Sequence, residues 1–211
     1  MLIPLLLACG GAPADAPTDA PPPEAGAGNL ANLQCAEGTA QKETTGPSGT
    51  ERWCDRDGVM HGAYVRLYPD GKRAARGAYD NSPPDGDWVW WHENGQESGK
   101  GKYAKGGRQT GAWTRWHPNG AKQEEGDYLQ GRKAGHWTRW YETGKKQEEG
   151  LYHNDAKNGL WTYFLDDEEN SVERTELWEG GAMKEEKIIT PKPGEEGKDG
   201  KGAKGKAGKG G

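Results

Sequence analysis

The chain has little of what usually builds a globular interior. Leu, Ile and Val are scarce, there is one Phe in 211 residues, and hydrophobic residues of every kind make up 31%. On aliphatics alone such a composition reads as disordered. No stretch of about 18 or more apolar residues occurs, which excludes a membrane-spanning helix. Charge of one sign is missing too: 28 Lys and Arg stand against 33 Asp and Glu, for a net charge of -5 with both signs interspersed. That leaves no broad basic field for nucleic acid, which is not an expected partner. There is no Gly-x-Ser-x-Gly, no P-loop, no His-Glu-x-x-His and no Cys-x-x-Cys. The chemistry those spacings support is therefore not expected, so an enzyme and a cofactor are not expected either.

What is present is aromatic and periodic. Ten Trp and eight Tyr can each bury about 150–250 Å², and they fall on a beat. Gly62-Ala-Tyr64, Gly86-Asp-Trp88, Gly111-Ala-Trp113, Gly135-His-Trp137 and Gly159-Leu-Trp161 recur at steps of about 24 residues. A second large residue follows each: Leu67, Trp91, Trp116, Trp140, Phe164. Four units then show a glycine turn, such as Pro118-Asn119-Gly120 and Glu142-Thr143-Gly144, and Tyr79, Tyr103, Tyr128, Tyr152 and Trp178 close the five. No helical 3.6-residue pattern interrupts the array.

Within one unit, Trp113-Thr-Arg-Trp116 has high strand propensity. Pro118-Asn119-Gly120 suits a type I turn with a glycine bulge, and Lys122 to Tyr128 is the returning strand. Gln130 to Gly135 is read as the turn into the next unit. Each repeat is thus a hairpin, marginal alone, and stacking about five gives an all-β elongated antiparallel ribbon. Trp113 and Trp116 face opposite sides of a strict strand, whereas a bulge between them would put both in the core; both remain open. In Trp88-Val-Trp90-Trp91 one of the three rings is expected on the other face.

The pattern Gly-x-Trp-x-x-Trp/Tyr-x-x-Asn-Gly-Lys-x-x-x-Glu-Gly-x-Tyr, as at Gly111 to Tyr128 and Gly135 to Tyr152, resembles the bacterial variant of the MORN repeat, an antitoxin-like family. The resemblance covers roughly 59–180 and departs at its ends: the first unit has Tyr64 and Leu67, and the fifth replaces the Asn-Gly turn with Asp166-Asp167-Glu168-Glu169-Asn170. It implies a β-hairpin array and an interaction role, with no catalytic residues to carry over.

The N-terminus, Met1 to Gly10, is an apolar run ending in Leu6-Leu7-Ala8-Cys9, followed by an Ala/Pro/Asp/Gly stretch. It resembles the end of a bacterial lipoprotein signal peptide, with Cys9 as the lipidated residue and a start codon placed too far downstream. The implied location is the bacterial cell envelope, lipid-anchored at the outer membrane or the periplasmic face. The alternative is a cytoplasmic protein with a chance apolar start. Cys35 and Cys54 are then an even pair, expected to form one disulfide in an oxidising compartment and to pin a structureless leader onto Trp53. Five regions follow: a signal and lipid site (1–9), a flexible tether (10–30), a disulfide leader (31–58), the repeat array (59–190), and a Gly/Lys tail (191–211) expected to be disordered.

His92 and His117 share a position held by Tyr68 and Tyr141 in flanking units; substitution by Tyr argues for a shared ring role and against a metal. Glu124, Glu125, Glu148 and Glu149 form an in-phase ladder beside Lys122 and Lys146, expected as solvated cross-strand charge partners. Asp166 to Glu169 lacks the ligand spacing of a calcium loop. Tyr64, Trp88, Trp113, Trp137 and Trp161 are the expected structural core. The candidate binding surface is the second row, Trp91, Trp116 and Trp140, with Trp90, Arg115 and Arg139. The partner expected there is an unidentified protein, docked on a non-catalytic scaffold. Cell-wall glycan or peptidoglycan stacked on the Trp row is one alternative, and a toxin bound by an antitoxin-like cytosolic protein is another.

Overall fold

The computed structural model describes residues 32–190; Cys9, the tether and the Gly/Lys tail lie outside the described residues. Those described contain no helix and thirteen strands: β1 (Ala40–Gly46), β2 (Gly49–Arg56), β3 (Val59–Leu67), β4 (Arg73–Tyr79), β5 (Pro84–Trp91), β6 (Glu97–Ala104), β7 (Arg108–Trp116), β8 (Lys122–Leu129), β9 (Arg132–Trp140), β10 (Lys146–His153), β11 (Ala156–Phe164), β12 (Val172–Glu179) and β13 (Ala182–Ile188). They hydrogen-bond in chain order into one antiparallel sheet. The expected ribbon of hairpins is therefore continuous, with every hairpin paired to the next.

Two kinds of turn alternate between the margins. Along one, the expected glycine turn forms: Gly120 N–H donates to His117 O at 2.9 Å, Asn119 Oδ1 accepts the Ala121 N–H at 2.9 Å, and Gly120 sits at φ 85°. Along the other, two residues suffice, both at positive φ: Gln130 (53°) with Gly131 (83°), and Asn154 (51°) with Asp155 (68°). Positive φ at both central residues matches the right-handed twist of the flanking strands. The broader turn expected over Gln130 to Gly135 thus contracts to Gln130-Gly131, and Arg132 onward is already strand.

Gly135 has another task. Pairing of β8 with β9 jumps from Gly126↔Trp137 to Asp127↔Ala134, so Gly135 and His136 are extra residues in a wide bulge, with Gly135 at φ 68°. Glycine takes that left-handed conformation without a Cβ clash. The bulge swings Trp137 flat across the preceding strand. There it covers Gly126, where an added Cβ would stand 2.3 Å from Trp137 Cδ2. Trp88 over Gly77, Trp113 over Gly101 and Trp161 over Gly150 repeat the contact, at 2.2 to 2.3 Å. The Gly-x-Trp beat and the Glu-Gly-x-Tyr beat are two halves of one joint. One glycine supplies a bend, the other an absence of side chain.

Between successive indoles stands the closing tyrosine, edge-on. Tyr128 lies 5.5 Å from Trp113 and 5.1 Å from Trp137, the latter at 90°. Tyr79, Tyr103 and Tyr152 repeat the arrangement. Each such pair adds about 0.5–1.5 kcal/mol beyond the area it buries. The indole N–H of Trp88, Trp137 and Trp161 donates to a carbonyl of the preceding strand at 3.0 to 3.2 Å. Tyr64, Trp88, Trp113, Trp137 and Trp161 are accordingly buried, at 1 to 6% exposure.

Both ends of the array depart from the repeat. The leader is not structureless: it carries β1 and β2, because β3 needs a partner on its free edge. The Cys35–Cys54 disulfide, Cα–Cα 5.5 Å, ties residue 35 to β2. At the far end the position of the covered glycine is held by Glu176, opposite Trp161. No further indole arrives to lie there, so a side chain fits. Burial would push the Glu176 carboxyl up, but hydrogen bonds from Tyr163 Oη (2.6 Å), Trp178 Nε1 (2.8 Å) and Arg174 Nε (3.0 Å) outweigh it and hold the group below the usual glutamate range.

Candidate functional site

Strand alternation divides the six residues expected to form one surface. Trp90 is two residues from Trp88 and stacks with it at 5.7 Å, on the aromatic face. Trp91, Trp116 and Trp140 point to the reverse face, in phase with Phe164. Arg115 and Arg139 return to the aromatic face beside Glu124 and Glu148. The expected single surface is thus divided between two faces, although Trp91 also reaches the depression that Trp90 and Arg115 line. The bulge that would have brought Trp113 and Trp116 together sits instead on the returning strand, between Arg115↔Glu124 and Trp116↔Lys122.

On the reverse face each second-row ring is half-buried and overlain by a cation. Arg73 lies 5.7 Å from the Trp91 ring, Lys100 5.2 Å from Trp116, Lys122 5.8 Å from Trp140 and Lys146 6.0 Å from Phe164. Glu125 and Glu149 lie here too, holding Lys122 and Lys146 at 2.8 Å.

Glu124 and Glu148 behave differently from the solvated partners expected. Their side chains are 12% and 15% exposed and lie in a row of alternating charge. Arg115 meets Glu124 at 3.2 Å, Arg139 meets Glu124 at 3.7 Å and Glu148 at 3.1 Å. Lys133 and Lys157 roof the row: their ammoniums stand 3.8 Å over the Trp137 ring and 4.1 Å over the Trp161 ring, and reach Glu124 (3.4 Å) and Glu148 (3.6 Å). Burial lowers the Lys133 pKa, and the neighbouring Glu124 only partly offsets it.

The roof is missing over Trp113. Its counterparts of Lys133 and Glu124 are Gln109 and Gly99, and an open depression of about 400 Å³ lies there. Trp90, Trp113 and Tyr103 line it, with Arg66 and Arg115 among its walls and no Asp or Glu. The Trp113 indole N–H is buried and lacks the carbonyl partner that its counterparts have.

The histidines have a structural place. His92 Nε2 contacts Trp116 O at 2.9 Å and His117 Nε2 contacts Trp140 O at 2.9 Å, one repeat on. Tyr68 Oη donates to Trp91 O (2.7 Å) and Tyr141 Oη to Phe164 O (2.8 Å) in the same manner. A ring carrying a donor at its far end is what the position needs, so Nε2 bears the proton in both histidines. Among the described residues no group of three or more His, Cys, Asp or Glu is placed to hold a metal ion.

The MORN repeat variant family matches residues 109–130 and 133–154. The chain carries MORN-type repeats. No match was found among curated proteins. Among solved structures, a chain of the GtfA/B complex bound to UDP and GlcNAc is similar at 17% identity, with a TM-score of 0.23, over 50% of this chain and 20% of that one. This chain thus spans about a fifth of that relative's length, and so slight a likeness bears on neither fold nor function.

The MORN-type units also show which site residues the sequence reading passed over. Gly99 breaks phase with Glu124 and Glu148, and Gln109 with Lys133 and Lys157. An in-phase comparison of these polar positions contains the signal. The tryptophans are more conspicuous in the sequence, but most of them are occupied in holding the MORN-type array together.

Proposed function

We propose that this protein is a cell-envelope lipoprotein, anchored through a lipid on Cys9, whose MORN-type array is a non-catalytic scaffold for a protein partner. The observation that carries the scaffold reading is the interruption of the charged row at Gly99. Over Trp137 and Trp161 the aromatic face covers its rings with its own Lys–Glu pairs, and here it leaves indoles and guanidiniums open to another molecule. The lipobox-like Leu6-Leu7-Ala8-Cys9 and the Pro/Ala stretch after it support the anchored location, and the Cys35–Cys54 disulfide accords with an oxidising compartment.

Two measurements test the proposal. Mass spectrometry of the mature N-terminus is expected to find diacylglycerol on Cys9, with processing blocked by globomycin; an intact Met1 in the cytosolic fraction overturns the anchored reading. Crosslinking in intact cells is expected to trap the same protein partner reproducibly, and its loss on Trp90→Ala with the fold preserved locates the contact. Cell-wall polysaccharide is the second reading, favoured by ring spacing: one repeat is two strands, about 9.5 Å, and Trp91, Trp116 and Trp140 recur at that step. Retention on purified peptidoglycan that Trp116→Ala abolishes would favour it.

A further inference from the structure

We propose that the depression between β3 and β7 binds an extended acidic peptide of the partner, with one carboxylate at each end and an apolar side chain between them. This rests on the scaffold reading and gives it a chemistry. The array itself shows what the position accepts. Along the row from β7 to β10 the order is Arg115, Glu124, Arg139, Glu148, each carboxylate within 3.1 to 3.7 Å of its guanidinium neighbours. Along β3 to β7 the corresponding order is Arg66, Ala75, Trp90, Gly99, Arg115. Both carboxylates are replaced by small residues and the central guanidinium by an indole.

The two arginines keep acidic neighbours only on their outer sides. Arg66 pairs in register with Glu51 on β2, and Arg115 with Glu124 on β8. On their inner sides stand Ala75 and Gly99, facing the depression. Its floor offers Trp90 and Trp113, 5.6 Å apart, and Tyr103. Burial raises the Tyr103 phenol pKa, so it stays neutral and adds no competing negative charge.

Spacing sets the form of the ligand. β3 and β7 are four strand steps apart, about 19 Å at the backbone, and the long arginine side chains lean inward to line one depression. One carboxylate cannot serve both. In an extended peptide, residues i, i+2 and i+4 project from one side and span about 13 Å. Acidic residues at i and i+4 then meet Arg66 and Arg115, while an apolar residue at i+2 rests on Trp90. The carboxylates are the ones the row lacks.

The test uses the full-length protein and the N-acetylated, C-amidated peptide Glu-Thr-Phe-Thr-Glu, against its Gln-Thr-Phe-Thr-Gln counterpart. Binding is followed by calorimetry and by the indole N–H signals of Trp90 and Trp113. The acidic peptide is expected to bind at least tenfold more tightly than the amide and to move both signals. Gly99→Glu rebuilds the row from within. A Cβ at Gly99 meets its nearest neighbours at 3.6 to 3.7 Å, ordinary contact, so this variant is expected to fold and to weaken the peptide tenfold or more. Gln109→Lys, which restores the roof, is a second variant with the same expected effect. Equal binding of both peptides, or undiminished binding by both variants, overturns the proposal. So does a trimer of galacturonic acid that binds where the acidic peptide does not. Partners crosslinked as before by Gly99→Glu cells would also overturn it while leaving the scaffold reading standing.

Discussion

Gly126 and Gly135 look alike in the sequence and fail differently when replaced. Gly126→Ala places a methyl 2.3 Å from Trp137 Cδ2, against an indole bonded to Asp127 O. Overpacking of this kind costs about 1–3 kcal/mol and should disturb the near-ultraviolet dichroism of tryptophan. Gly135→Ala meets open space but needs φ 68°, costing about 1–2 kcal/mol with the tryptophan signal retained. Urea melts with both dichroism bands distinguish them. If Trp137→Leu relieves Gly126→Ala but not Gly135→Ala, the joint is as described. At Glu176 the sign follows from its depressed pKa. The group stabilises the fold above the ordinary value of 4.5, and that contribution is lost as pH falls through the lower folded value. Glu176→Gln is expected to cost about 1–3 kcal/mol at neutral pH and to flatten the acid limb of the stability curve.

At the level of the hairpin, the ring at the head of each glycine turn is a strut to the next repeat. His117→Tyr reproduces what Tyr68 and Tyr141 do and is expected to be neutral within about 0.5 kcal/mol. His117→Phe keeps the ring and loses the bond to Trp140 O, at a cost of about 1–3 kcal/mol for the unsatisfied carbonyl. Thermal melts of the pair decide it, and equal loss in both would rule out the hydrogen bond as the reason for the ring. This element was partly legible: Tyr and His exchanging at one in-phase position pointed to a common ring role. The carbonyl partner was not legible, because it lies 23 or 24 residues away and is backbone, which carries no side-chain signature.

Across the whole molecule, contacts run between neighbouring strands in chain order, so stability is close to a sum of repeat and interface terms. Deleting residues 111–134, one period from glycine to glycine, should leave a shorter folded array with an intact aromatic ladder, seen as cooperative unfolding at a lower Tm. Reducing Cys35–Cys54 should remove about 3 kcal/mol, with hydrogen exchange rising first in β1 and β2. Exchange rising uniformly along the sheet would instead mean that the ends do not act as caps.

The period, the strand and turn chemistry and the identity of the buried rings were determined by the sequence alone. They are local properties repeated five times, and repetition makes a weak local signal loud. The faces were decided only by the tertiary structure. A one-residue bulge moves a side chain across the sheet, so the extra residue at Gln123 puts Lys122 on the reverse face with Trp116 and Trp140, away from Glu124. The depression at Gly99 is of the same kind. It is made by what four neighbouring strands do not supply, and such an absence takes shape only when the strands lie side by side.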